Sequence, residues 1–134
     1  MTRAADVLPT FPAAISLDKD LLVRCIEECI TCAQACTGCA DADLSEKMVD
    51  ELRKCIRVCL DCADVCEATA RVLTRQTSYD ANVTRAVVQA CNQVCKSCGD
   101  ECERHAAMHE HCRICAEECR RCEQVCRELL ALIG

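Results

Sequence analysis

Residues 55–66 read CIRVCLDCADVC, with cysteine at positions 55, 59, 62 and 66. The spacing C-x3-C-x2-C-x3-C decides the fold. Residues three and four apart share one face of an α-helix, whereas a strand needs a period of two. The intervening residues suit a helix, and the charged ones fall away from the cysteine face. Moving outward, the same spacing returns three times. It occurs as CIEECITCAQAC (residues 25–36), CNQVCKSCGDEC (residues 91–102) and CAEECRRCEQVC (residues 115–126). The four copies hold Cys25, Cys29, Cys32, Cys36, Cys55, Cys59, Cys62, Cys66, Cys91, Cys95, Cys98, Cys102, Cys115, Cys119, Cys122 and Cys126. Cys39 and Cys112 each stand three residues beyond a copy, so one rule places all 18 cysteines of the 134-residue chain.

A sustained alternation of three and four is the narrow seam of a helical bundle. Four seams predict an all-α, antiparallel up-down-up-down four-helix bundle with a cysteine-lined core, its helices near 18–40, 44–75, 80–105 and 109–132. Asp43 with Glu46 resembles a capping box opening the second helix, Ser78 or Asp80 can cap the third, and Ser16 or Asp18 the first. The third turn carries no Gly or Pro. It is placed near 106–110 because two three-residue steps adjoin there (109, 112, 115) and break the alternation. Residues 1–17 are expected as a mobile or loosely docked tail before a bundle domain at 18–134.

Composition removes several classes of function. No apolar run reaches the length of a membrane span. A net charge of −6, from 22 acidic and 16 basic residues, disfavours a nucleic-acid surface. Pro9, Thr10 and Pro12 interrupt any apolar core of a secretory signal. The expected compartment is therefore the cytoplasm, where disulfides are rare and cysteines stay as thiols or metal ligands.

In an antiparallel bundle the seams sort into two ends. One end continues as Leu22, Thr69, Leu73, Val88, Leu129 and Ile133, an aliphatic plug. The other continues through Cys39, Leu52, Met48, His105, His109, Cys112 and Met108, with His111 beside them but off the seam. Thiol, thioether and imidazole gather at that end, which suits a mouth for a soft metal ion. Met48 and Met108 also read as gap-filling core residues, and the three histidines as solvated residues near a turn.

Eighteen inward thiols sacrifice the apolar area that Leu and Ile would bury. Disulfides between i and i+4 positions are poorly placed on a rigid helix. Metal binding remains, and thiolate-only sites favour Cu(I), Zn(II) or iron–sulfur clusters. A C-x3-C step suits a two-coordinate Cu(I) whose sulfurs lie roughly 4.5 Å apart, given metal–thiolate bonds of ~2.3 Å. Eighteen thiolates with few ions would leave a costly buried charge, whereas bridging thiolates with one Cu(I) each give a neutral core. That balance predicts a capacity of about one Cu(I) per cysteine.

This seam architecture resembles the bacterial copper storage proteins, in their cytosolic branch, over about residues 20–130. The resemblance implies that the 18 cysteines bind multiple Cu(I) ions and that the bundles assemble as homotetramers. It also implies that residues at the mouth assist metal access, with Met48, His105, Met108, His109 and His111 as the candidates. The expected function is non-enzymatic copper storage and sequestration, with a copper chaperone or recipient cuproenzyme as a possible partner and neither nucleic acid nor membrane. A zinc or general soft-metal buffer is the first alternative and an iron–sulfur electron-transfer protein the second.

Overall fold

The computed structural model describes residues 2–133, and every regular element among them is helical. A short helix α1 (Ala4–Val7) runs into a 3-10 turn at Leu8–Thr10. Four long helices follow: α2 (Lys19–Leu44), α3 (Arg53–Thr74), α4 (Ala81–His105) and α5 (Glu110–Leu130). Each long helix packs on two others, α2 on α3 and α5, and α4 on α3 and α5, which closes a square tube.

The sulfur contacts give the direction of each neighbour. Against α2, Cys29 meets Cys122, Cys32 meets Cys119, Cys36 meets Cys115 and Cys39 meets Cys112. One number climbs as the other falls, so α2 and α5 are antiparallel. Likewise Cys66 meets Cys91, Cys62 meets Cys95, Cys59 meets Cys98 and Cys55 meets Cys102, so α3 and α4 are antiparallel. Cys29–Cys91 and Cys36–Cys98 climb together, as expected of the parallel diagonal pair α2 and α4.

Helix ends follow local chemistry, with two departures from expectation. The Asp18 carboxylate accepts the Leu21 N–H at 2.9 Å and caps α2. Asp80 accepts from Asn82 N–H at 2.9 Å and caps α4, while Ser78 sits at φ 54° in the preceding turn. The expected capping box at Asp43 and Glu46 is not formed. Helix α2 continues through Asp43 to Leu44, because Asp43 lies on the seam and is fully buried. The chain then reverses and makes a 3-10 turn at Val49–Leu52 before α3 starts at Arg53, nine residues later than position 44. Leu52 is buried in that turn and supplies the packing that the cap does not. The third turn falls at 106–108, where the His105 carbonyl accepts from both Met108 N–H and His109 N–H and ends α4.

The segment before Asp18 is docked. Ala4, Leu8 and Leu17 are buried in the same core, and Thr2 Oγ1 donates to Glu27 on α2 at 3.0 Å. Leu22, Thr69, Leu73, Val88, Leu129 and Ile133 are all buried, forming the aliphatic plug. On the outer surface Arg120 of α5 reaches Asp100 and Glu103 of α4 at 2.7 and 2.8 Å, and Glu123 on its own helix at 3.2 Å. It crosses α4 at Gly99, where a Cβ would lie 2.9 Å from the guanidinium. A side chain at this position would displace the Arg120 guanidinium from its place across α4.

Because the plug is hydrocarbon and remote from the other mouth, Leu129→Ala should destabilise the metal-free protein by roughly 2–5 kcal/mol. Chemical denaturation measures that loss, and metal capacity should stay that of the parent chain.

Candidate metal centre

All 18 cysteine side chains are free thiols and buried, none more than 2% exposed. The seam spacing puts each sulfur inward, and four seams bring them together along the tube. Within one helix the i,i+4 pairs Cys32–Cys36, Cys55–Cys59, Cys62–Cys66 and Cys98–Cys102 have Sγ–Sγ separations of 3.8–4.0 Å. Between helices the separations are as short: 3.6 Å for Cys59–Cys102, Cys66–Cys95 and Cys36–Cys115.

This equality changes the expected binding unit. A linear bis-thiolate ion with ~2.3 Å bonds needs sulfurs ~4.6 Å apart, a trigonal one ~4.0 Å and a tetrahedral one ~3.8 Å. The i,i+4 pairs are closer than the linear case requires, and cross-helix partners are equally near. The sulfurs therefore form one continuous lattice, not eight separate steps. Sets of four sulfurs with all mutual distances within 4.8 Å recur along it. They include Cys29, Cys91, Cys122 and Cys126 near the plug, Cys32, Cys36, Cys62 and Cys119 at mid-height, and Cys39, Cys59, Cys102 and Cys115 near the mouth. Cys32, Cys36, Cys115, Cys119 and Cys122 each belong to two such sets, the arrangement that bridging thiolates require.

The mouth differs from the expected one in which groups reach the sulfurs. His111 points its Nδ1 to Cys39 Sγ at 3.5 Å and to Cys112 Sγ at 3.6 Å. Its Nε2 donates to Glu46 at 2.9 Å, and His109 Nδ1 pairs with the same carboxylate oxygen at 2.8 Å. The two rings stack with centroids 5.5 Å apart. His105, on the seam, is instead held by Glu101 at 3.0 Å. Glu101 is buried and also takes Lys54 and Arg104, at the α3–α4 seam of the surface. Met48 and Met108 sit in the two linkers at this end, 40% and 66% exposed. Of the five mouth candidates, the off-seam His111 thus touches the thiols, because the first turn of α5 places it four residues before Cys115 and against the end of α2.

Two mouth residues escaped the sequence reading. Asp43 is fully buried, its Oδ1 accepts from Cys112 Sγ at 3.5 Å, and among the described residues its Oδ2 has no partner in hydrogen-bond geometry, the Cys55 thiol being its neighbour. The signal for it was present: the steps Cys32, Cys36, Cys39, Asp43 continue the alternation of four and three. Glu46 holds both histidines, and it stands three residues beyond Asp43, the next step of the same alternation. Burial raises the Asp43 carboxyl to about 7 and pushes the Cys112 thiol well above its ordinary value. The hydrogen bond from His111 holds Glu46 below the usual carboxylate range.

A family model described as copper storage protein matches residues 18–131. No curated protein matches the sequence. Among solved structures, the copper storage protein Ccsp from Streptomyces lividans, loaded with 10 copper equivalents, is 66% identical. The match covers 96% of this chain and 98% of that one, with a TM-score of 0.95. A second structure, of copper loading to a cytosolic copper storage protein from the same organism with five coppers, is 70% identical over 86% and 96% of the two chains, TM-score 0.85. The Bacillus subtilis protein BsCsp3 in its Cu(I)-bound form is 33% identical over 79% and 94%, TM-score 0.71.

One buried charge outside the mouth sets a pH dependence. Glu118 of α5 is 5% exposed, and burial followed by the neighbouring Glu28 carboxyl of α2 raises it to about 8. Its proton is held more tightly in the folded chain than in the unfolded one. The stability it contributes is present at low pH and is lost as pH rises through about 8. Glu118→Gln should therefore gain stability relative to the parent chain between about pH 6 and pH 9, read as the difference in melting temperature of the metal-free proteins.

Proposed function

The chain belongs to the copper storage protein family, and we propose that it is a cytosolic store that sequesters many Cu(I) ions on the thiolates of its tube. The observation that carries this reading is the lattice itself: 18 buried free thiols, sixteen of them with another sulfur at 3.6–4.0 Å. Soft thiolates select Cu(I), and sulfurs shared between four-membered sets let one thiolate bridge two ions. Bridging balances charge, one monovalent ion against one thiolate, so the filled tube is neutral and the capacity is about one Cu(I) per cysteine. An enzyme would need a substrate cavity with an activated group, and the tube is packed with sulfur. Storage is a non-enzymatic role.

The zinc-buffer alternative wants isolated tetrahedral sites, and a shared lattice serves it poorly. An iron–sulfur cluster uses four cysteines and would leave most of this tube without purpose. Tetramer formation is supported by the exposed aliphatics Ile30, Leu60 and Ile114 on the outer faces.

Access is assigned to the mouth where His111, Cys39 and Cys112 meet, with His109 and Glu46 behind them. Cu(I) arriving there meets a soft thiol pair and an imidazole before the deeper sulfurs, and the plug blocks the opposite end. Each thiol that binds gives up its proton, so filling releases about one proton per ion and binding weakens as pH falls.

Anaerobic titration of the reduced protein with Cu(I) against a competing chelator should saturate near 18 ions per chain and require more free copper at lower pH. Light scattering on the same sample should give the mass of four chains. Saturation at two to four ions, or zinc held more tightly than copper throughout, would overturn the storage reading. In stopped-flow uptake, His111→Ala should slow loading several-fold at unchanged capacity, and His105→Ala should leave the rate alone.

A further inference from the structure

The thiols are closed off in this structure, none more than 2% exposed. An ion reaches them only when helices part, so a working store needs a way to open. We propose that the bundle opens as two hairpins, α2–α3 and α4–α5, which swing apart at the mouth about a hinge at the plug, with Glu46 as the latch. The proposal rests on the reading that metal enters at the mouth.

Chain topology sets where the tube can part. The link between α2 and α3 (45–52) and the link between α4 and α5 (106–109) both lie at the mouth. The link between α3 and α4 (75–80) lies at the plug. The hairpins are therefore joined through the backbone only at the plug, where Leu22, Leu73, Val88 and Leu129 are buried together. Packing follows the same division. Helix α2 packs most extensively on α3, and α4 on α5. Within the second hairpin Arg120 holds Asp100 and Glu103 at 2.7 and 2.8 Å, and Asn92 Nδ2 donates to the Glu123 carbonyl at 2.9 Å.

Across the hairpins the ties at the mouth are few. Glu46, on the first hairpin, holds His109 Nδ1 at 2.8 Å and His111 Nε2 at 2.9 Å, both on the second. The other mouth contacts are longer. Asp43 meets Cys112 Sγ and His111 Nδ1 at 3.5 Å, and Lys54 meets Glu101 at 3.7 Å. The sulfurs facing each other across the gap add only weak S–H contacts. Arg24 and Glu128, paired at 3.0 Å, tie the hairpins near the plug, on the hinge side. Parting at the mouth thus breaks chiefly the two Glu46 contacts, whereas parting at the plug would expose hydrocarbon. A rigid swing keeps every helix hydrogen bond and leaves the backbone change to the link 75–80.

Alkylation of the reduced, metal-free, full-length protein by iodoacetamide, mapped residue by residue by mass spectrometry, tests the latch. Cys39 and Cys112 should react before Cys25 and Cys126. Glu46→Ala should speed Cys39 and Cys112 at least about fivefold and leave Cys25 and Cys126 at parent rates. Glu46→Gln, which keeps the shape of the side chain, should act in the same direction and serves where the alanine variant folds poorly. Hydrogen exchange on the same proteins separates a swing from fraying, since the amides around Cys39 and Cys112 should keep parent protection while their thiols react faster. Parent-like rates at Cys39 and Cys112 in both variants, a rise shared equally by Cys25 and Cys126, or loss of amide protection at the mouth overturns the proposal. The readout contains no metal, so Cu(I) capacity, measured separately, tells failure of the latch from failure of the storage reading.

Discussion

The helices stand at the distance where a thiol on one meets thiols on its neighbours, with sulfur–sulfur separations of 3.6–4.0 Å along the tube. Everything else adjusts to that spacing. Cysteine is short, so the four backbones come close only if no larger side chain intrudes on the seams. Leu22, Leu73, Val88 and Leu129 are confined to one end. A thiol core buries less hydrocarbon than Leu or Ile would, and its S–H groups bond weakly. The aliphatic plug, the docked N-terminal segment and the Arg120 clamp across Gly99 make up part of what the sulfurs do not supply.

The two ends of the tube follow from the same constraint. A lattice of thiols takes up metal only if it can be reached, and hydrocarbon closes one end. At the other end the seams run out into linkers, where the chain can bring carboxylates and imidazoles over the last sulfurs. Glu46, from the linker after α2, binds His109 and His111 from the linker and first turn of α5. This contact ties the two linkers together and orients the imidazole. The mouth is therefore built from residues of both, and its chemistry is harder than that of the tube behind it.

The seams, the four helices, the plug and the position of the third turn were legible in the residues, because helical periodicity is a local property and cysteine marks it without ambiguity. Asp43 shows where local reading failed. Its neighbours offered a capping box, a plausible local signal, but the seam continued through it and tertiary burial won. The continuous seam was the stronger signal because it involves contacts with another helix, and those are what hold α2 in shape to Leu44. His111 shows the reverse case. It lies off the seam by strict alternation, yet the first turn of α5 swings it onto Cys39 and Cys112.

By itself, then, the sequence determined which residues face inward, how many thiols the tube holds and which end is closed, since each depends on spacing along one helix. Only the tertiary structure decided that sulfurs are as near across helices as along them, which turns paired steps into a shared lattice. It alone brought Asp43, Glu46 and His111 together around Cys39 and Cys112. The physical reason is that donor sets at a helix crossing depend on the register and separation of two chains of atoms, and no periodicity within either one encodes both.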